Sequence, residues 1–418
     1  MRTALWLLAL FGIAVAIALF TGNNEGTVTV FWAPYRVDLS LNLALLVLLA
    51  TFMLVYAAMR ALSALFDMPR QALRWRTQQK ERAMHGAMLD AMSHLLAGRF
   101  IRARKAAQAA LGQERSLAAS GQAPVNGTQL RTLAHLLAAE SSHALQDKSA
   151  REQHVKLALE QAASREAQET HEGALMRAAR WSLDDRDAQN AMVLLQGLPQ
   201  GAARRTLALR IRLKAARLAL QTAEALETAR LLAKHGAFSS AAAESIVRGL
   251  AVDLLNGSHD VVQLQRTWSS LDPAERAMPE LAIHATQRLT QLGGDAQIGR
   301  EWLLPVWQRQ HELGEAQKVK LVRALEAGLG TVDGAWLARI EAAQRQDPRD
   351  ATLQYLAGAA CMKRQLWGKA QQLMGQAIVG LRDPVLRRGA WRALAELAEQ
   401  RGDAEVAAQA WKRAATQS

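Results

Sequence analysis

The sequence predicts an all-α protein in which a membrane-spanning helical hairpin leads into a long run of paired helices. Three observations predict it. Ala and Leu dominate while Val, Ile and Thr are sparse, which is helix chemistry, because β-branched residues lose side-chain freedom against the preceding turn. Two stretches near the amino terminus carry no charge. Beyond them, large and small apolar residues recur at helical spacing, most clearly in two C-terminal units whose equivalent positions Ala370 and Ala407 lie thirty-seven residues apart.

The hairpin comes first. Thr3 to Gly22, TALWLLALFGIAVAIALFTG, and Leu39 to Met59, LSLNLALLVLLATFMLVYAAM, hold no Asp, Glu, Lys, Arg or His. Each is long enough to cross a hydrocarbon core of about 30 Å as a helix. The connection between them is too short for a domain, so residues 1–60 are expected to form an antiparallel transmembrane hairpin. The first stretch has no convincing small-x-small cleavage site and a second span follows close behind, which favours an uncleaved anchor over a signal peptide. With no Asp, Glu, Lys, Arg or His inside either span, nothing points to transport through the pair.

Charge sets the orientation. The connecting loop carries Glu25, Arg36 and Asp38, whereas Arg60, Arg70, Arg74, Arg76, Lys80 and Arg82 follow the second span against only Asp67 and Glu81. The positive-inside rule places both termini and the large C-terminal part in the cytoplasm. The basic residues, on an expected juxtamembrane helix over 61–83, form a cluster suited to anionic lipid headgroups. The formal net charge is +13, and its concentration here points to membrane lipid rather than nucleic acid. Phe31, Trp32 and Tyr35 in the loop suit the opposite interface.

Residues 84–418 read as helix pairs. At the C-terminal end, Trp391, Leu394, Ala395 and Ala398 share one face of a first helix, and Gly402 ends it by taking the left-handed conformation. Ala407, Trp411 and Ala414 make one stripe of a second helix. The preceding unit repeats the scheme: Gly358 is the small first-helix position, and Ala370, Met374 and Ala377 form the second stripe. Trp367 is expected to fill the seam between units, with Gly368 keeping the helices close. This pattern resembles the tetratricopeptide repeat (TPR), and the full expectation is a two-helix transmembrane hairpin followed by a TPR-like α-solenoid, since no pair buries its apolar face alone. Weaker units lie upstream, one turning at Gly98. Gly112 to Thr128 is expected to be a flexible loop. Between Arg204 and Trp336 the register is loose, with Pro273, Pro279 and Pro305 as expected helix boundaries.

No catalytic constellation emerges, and the chain is expected not to be an enzyme. Gly368-Lys369 is followed by Ala370, where a phosphate loop needs Ser or Thr, and the earlier Gly is missing. No dinucleotide fingerprint or HExxH is present. The single Cys361 excludes an internal disulfide and a multi-thiolate metal site. Glu140 and His143 have the spacing of carboxylate-bridged metal sites, but such sites need two pairs. His94, His135 and His143 are the candidates for contact with a haem or porphyrin. The tryptophans read as core, and the basic run Arg204 to Arg217 reads as a solvated face.

Two segments carry a family resemblance. EGTVTVFWAPYRVDLSLN, with Gly26, Val28, Tyr35, Arg36, Asp38 and Ser40, resembles the N-terminal segment of the HemY family. LWGKAQQLMGQAIVGL, from Leu366 through Trp367, Gly368, Lys369 and Ala370, is similar to that family's C-terminal repeat. The resemblance implies a proteobacterial inner-membrane protein with two spans and a cytoplasmic TPR region. It also implies a part in protohaem biosynthesis or haem homeostasis, with haem-pathway enzymes as partners, and supplies no catalytic residue. An unrelated flavin-dependent oxidase shares the name, and the absence of a dinucleotide fingerprint sets this chain apart from it.

Overall fold

The computed structural model describes residues 2–20, 26–161 and 168–416. The chain divides into two compact units, Met1–His171 and Glu172–Ser418.

The first unit opens with α1 (Arg2–Phe20), a 19-residue helix. A two-stranded antiparallel hairpin follows, β1 (Thr27–Trp32) and β2 (Tyr35–Ser40), with Thr27 opposite Ser40 and Trp32 opposite Tyr35. The all-α expectation is amended here. The β-branched residues of TVTV suit a pleated strand, and Thr29 Oγ1 donates across the ladder to Asp38 Oδ1 at 2.6 Å. Phe31, Trp32 and Tyr35 stand exposed at its tip.

From Ser40, whose hydroxyl accepts from the Leu43 amide, α2 (Leu41–Leu96) runs unbroken for 56 residues, about 84 Å at the α-helical rise. Among the described residues, one segment is long and apolar enough to cross a membrane: Leu41–Ser63, with mean hydropathy 2.3 and none of it covered by protein. The first expected span corresponds to α1, whose Phe11 ring stacks on Phe52 of α2 at 5.8 Å. The segment boundaries expected at 60/61 and 83/84 are not breaks in the chain, since α2 passes through both.

The far end of α2 is the first helix of the repeat array. It packs on α3 (Phe100–Ala119) and α4 (Gly127–Ala144), and α5 (Lys148–Gln161) completes the set. The packing comes in layers: Met84 with Leu117 and Leu130, Met88 with Leu111 and Ala134, Ala91 with Ala107 and Ala138. The loop expected over 112–128 is narrowed to 120–126, because α3 continues to Ala119 and α4 begins at Gly127. Leu111, Glu114 and Leu117 are buried there, and that buried stripe extends the helix where composition alone suggests a loop.

α6 (Gln168–Asp184) leads into the second unit, followed by α7 (Ala188–Gln196), the single turn α8 (Gln200–Ala203), α9 (Thr206–Leu218), α10 (Thr222–Lys234), α11 (Ser240–Asn256), α12 (Val261–Ser270) and another turn, α13 (Pro273–Arg276). Then come α14 (Pro279–Gln291), α15 (Ala296–Gln308), α16 (Glu315–Glu326), α17 (Gly334–Gln346), α18 (Ala351–Lys363), α19 (Trp367–Gly380), α20 (Pro384–Gln400) and α21 (Ala404–Thr416).

Seven of the turns share one design. Gly98, Gln146, Arg186, Leu220, Gly293, Gln365 and Gly402 all have positive φ. At each, the turn residue's amide and the next one reach back to carbonyls of the helix just ended: Gln146 to His143 and Asp147 to Ser142, Leu220 to Arg217 and Gln221 to Ala216, Gly402 to Glu399 and Asp403 to Ala398. This left-handed C-terminal cap satisfies carbonyls that the helix leaves open. Four of these seven residues carry a side chain, so the recurring turn is invisible to a search for glycine. An aspartate often caps the next helix, as Asp187, Asp260, Asp295 and Asp333 do. From Leu220 onward the pair turns fall at a roughly 36-residue period, so the register between 204 and 336 is regular. Pro273 and Pro279 open helices, but Pro305 lies inside α15. Its missing N–H orphans only the carbonyl of exposed Glu301, which water can satisfy.

One continuous apolar cluster, from Leu209 to Leu397, fills the second unit, with Trp268, Trp307 and Trp336 inside it.

Candidate functional site

A cleft of about 760 Å³ opens in the second unit where α16, α18 and α20 begin. Two short sequences build its wall. In Arg349-Asp350, Asp350 caps α18 by accepting from the Thr352 amide at 2.9 Å and the Leu353 amide at 3.2 Å. In Arg382-Asp383, Asp383 caps α20 in the same way, from Val385 at 3.1 Å and Leu386 at 2.9 Å. Each capping Asp turns its chain so that the preceding arginine stands exposed at the cleft. Lys318 of α16 reaches Asp350 at 3.0 Å. Burial works against charge on both, yet the pairing outweighs it: the Lys318 ammonium is raised above its ordinary value and the Asp350 carboxyl held below its own. Lys320 and Arg323, also on α16, are exposed and line the cleft beside Val319 and Leu381. The wall is therefore apolar at its base and basic at its rim. None of these cleft residues was singled out from sequence. The signal that would have found them is the recurrence of Arg-Asp one repeat apart, at 349–350 and 382–383.

The residues singled out from sequence lie elsewhere. His135 is buried on α4, with its Nδ1 3.0 Å from Nδ1 of His154 on α5. Burial first, then the neighbouring His154, Arg115 and Arg131, push its pKa down to about 4. His154 is lowered for the same first reason. His143 accepts from Arg151 Nη1 at 3.0 Å, and His94 lies in the last turn of α2. The structure thus joins His135 to His154 and not to His94 or His143. With only 2% of His135 exposed and its Nδ1 engaged, it offers no open face to a porphyrin. Among the described residues, no group of three His, Cys, Asp or Glu could hold a metal ion.

Arg60, Arg74, Arg76 and Arg82 are exposed along α2, while the side chain of Arg70 lies outside the described set. Lys80 donates to Ser116 Oγ at 2.8 Å. Arg76 and Lys80 line a second cleft, of about 490 Å³, with Thr77 and Gln122.

The packing positions divide. Ala370, Ala377 and Ala407 are buried, and a Cβ on Gly358 would meet Met374 Cγ at 3.1 Å. Leu394 packs against the core cluster. Arg413 lies 4.7 Å over the half-buried Trp391 ring, and Gly402 has φ +76°. Trp367 is 38% exposed at the start of α19, so it does not fill the seam expected of it. Gly368 has open space where a Cβ would point, so close packing does not require it. Lys369 pairs with Glu341 at 2.8 Å. Trp411, 37% exposed, donates from Nε1 to Glu399 at 2.7 Å.

Three solved structures are similar to the chain at low identity. The APC/C hetero-tetramer Cut9-Hcn1 matches at 13% identity and TM-score 0.28, over 78% of this chain and 65% of that one. Naa15/Naa10 bound to HypK-THB matches at 13% and 0.22, over 76% and 56%. The P58(IPK) TPR domain matches at 14% and 0.22, over 76% and 99%. Superpositions this loose say nothing about activity or partner. This chain spans less than two thirds of the first two. No curated protein matches the sequence. Residues 26–146, from the start of the β-hairpin to the Gln146 turn, match the family described as HemY protein N-terminus, so that segment is a HemY N-terminal region.

Proposed function

We propose that the protein is a membrane-anchored scaffold, without a catalytic site of its own, that holds other proteins at the cytoplasmic face of a bacterial inner membrane. The observation that carries this reading is the continuity of α2. One helix holds both the apolar segment Leu41–Ser63 and the packing residues Met84, Met88 and Ala91, so the repeats are joined to the anchor by a rod and not by a linker. α1 and α2 both span, with the termini on the side where Arg60, Arg74, Arg76, Lys80 and Arg82 stand, as the positive-inside rule requires. Near an anionic surface each such cation contributes about 1 kcal/mol of attraction.

The family's name supports a place in a late step of haem biosynthesis or in haem homeostasis. A scaffold serves such a step by raising the effective concentration of successive enzymes, so that a poorly soluble porphyrin meets the next one before it diffuses away. Co-purification of the full chain in mild detergent tests this. Terminal haem-pathway enzymes are expected to be enriched over a control membrane repeat protein, and a strain lacking the protein should accumulate porphyrin. Enrichment equal to the control, with normal porphyrin levels, refutes it.

A further inference from the structure

The cleft between α16, α18 and α20 has a charge arrangement that the fold does not use. Of the ionic residues lining it, Lys318 and Asp350 satisfy each other, and Asp383 is spent on capping α20. Lys320, Arg323, Arg349 and Arg382 remain exposed, and none pairs with a carboxylate among the described residues. Unused cations converging on one concavity are a recognition feature rather than a stability feature, since exposed charges add little to folding. The volume, about 760 Å³, lies within the roughly 300–1,000 Å³ of sites that enclose a ligand.

The remaining lining decides what kind of anion fits. Glu315 and Asp347 are exposed on the same rim. A polypeptide offers them backbone N–H donors while its own Asp or Glu side chains meet the four cations. A nucleic-acid strand offers a continuous line of phosphates that those two carboxylates repel. No aromatic side chain lines the cleft, so a base would find no stacking surface. Val319, Ala351 and Leu381 supply an apolar base for side chains between the acidic ones.

We infer that this cleft is a docking site for an acidic segment of a partner protein. The inference rests on the scaffold reading and gives it one address. Arg349 and Arg382, one repeat apart, grip carboxylates of an extended segment from neighbouring turns, and Lys320 and Arg323 close the site from α16.

The test uses the full chain in nanodiscs of neutral lipid, which removes the contribution of anionic headgroups. The probe is a fluorescein-labelled decapeptide of alternating Glu and Ala, with an oligothymidylate of equal charge as comparison. The peptide is expected to bind and to weaken with added salt. Arg349→Glu with Arg382→Glu should weaken it at least about tenfold, Arg349→Gln with Arg382→Gln should give an intermediate loss, and Lys105→Glu, at an exposed position of α3, should change nothing. Circular dichroism confirms that the variants keep their helix content. No peptide binding, binding insensitive to the reversals, or tighter oligothymidylate binding with the same residue dependence overturns the inference. Pull-downs from native membranes separate this from the scaffold reading. Partners retained equally by the wild type and the double reversal sink the cleft and leave the scaffold standing. A wild type that enriches no protein sinks the scaffold, whatever the peptide does.

Discussion

The interior of the first unit is built in thin layers: Met84, Leu117 and Leu130 in one, Met88, Leu111 and Ala134 in the next, Ala91, Ala107 and Ala138 in a third. Polar groups are set among them. Glu114 is 1% exposed and takes a two-pronged ion pair from Arg131, and His135 faces His154. The second unit instead has one unbroken apolar body from Leu209 to Leu397, with tryptophans in contact, Trp268 on Trp302 at 5.0 Å and Trp307 on Trp336 at 5.9 Å. The same helix-pair scheme is thus held together in two ways. Both units also bury polar pairs, such as Glu114 with Arg131 in the first and Glu275 with Arg230 in the second, but only the second adds a large continuous apolar body. The buried His135 accordingly ties the stability of the first unit to pH.

Four tests sharpen that contrast. Arg131→Met should have the largest effect, because it leaves the Glu114 carboxylate buried without its ion-pair partner, a loss of about 3–5 kcal/mol. Hydrogen exchange should show it as lost protection in α3 and α4 with the second unit unchanged; an equal loss in both units breaks the comparison. Leu255→Ala, at a side chain with 0% exposure in the large cluster, should cost about 2–5 kcal/mol by leaving a cavity. That loss should spread over α11, α12 and α14 and spare α3 and α4.

The third change is acid. His135 has its pKa lowered from 6.5 to about 4, so between those values the unfolded chain binds a proton that the folded chain refuses. Stability is complete above pH 6.5 and falls as the pH drops toward 4, by up to about 1.4 kcal/mol per unit. Thermal unfolding of the first unit at pH 7 and pH 5 measures it, and His135→Phe should flatten the dependence; an unchanged slope refutes the assignment. The smallest effects distinguish two glycines. Gly358→Ala meets the flexible Met374 side chain and should cost under about 1 kcal/mol, whereas Gly368→Ala enters open space and should stabilise α19 by up to about 1 kcal/mol. Comparing their unfolding midpoints checks the order.

Much of the fold is legible in the sequence, because Ala, Leu and Trp spacing encodes helix faces directly. Gly98 and Gly402 were readable as turns, whereas Gln146, Arg186, Leu220 and Gln365 take the same left-handed conformation with side chains that do not announce it. That is why the register near Leu220 looked loose. The continuation of α3 past Gly112 depends on Glu114 meeting Arg131 of another helix, a tertiary contact no local pattern shows. The β-hairpin was hidden by its position between two strong apolar runs. At the candidate cleft, Arg349 and Arg382 are separated in sequence and meet only because successive repeats stack.

The central claim is that the membrane span and the first repeat helix are one rigid rod. Spin labels at Met59→Cys and Leu89→Cys, both exposed, in a chain with Cys361→Ala, report its length by pulsed dipolar spectroscopy in nanodiscs. A single narrow distance near 45 Å, the rise of an uninterrupted α-helix over that interval, is predicted. A broad distribution, or a peak well short of that value, would show a hinge between anchor and array and contradict the account.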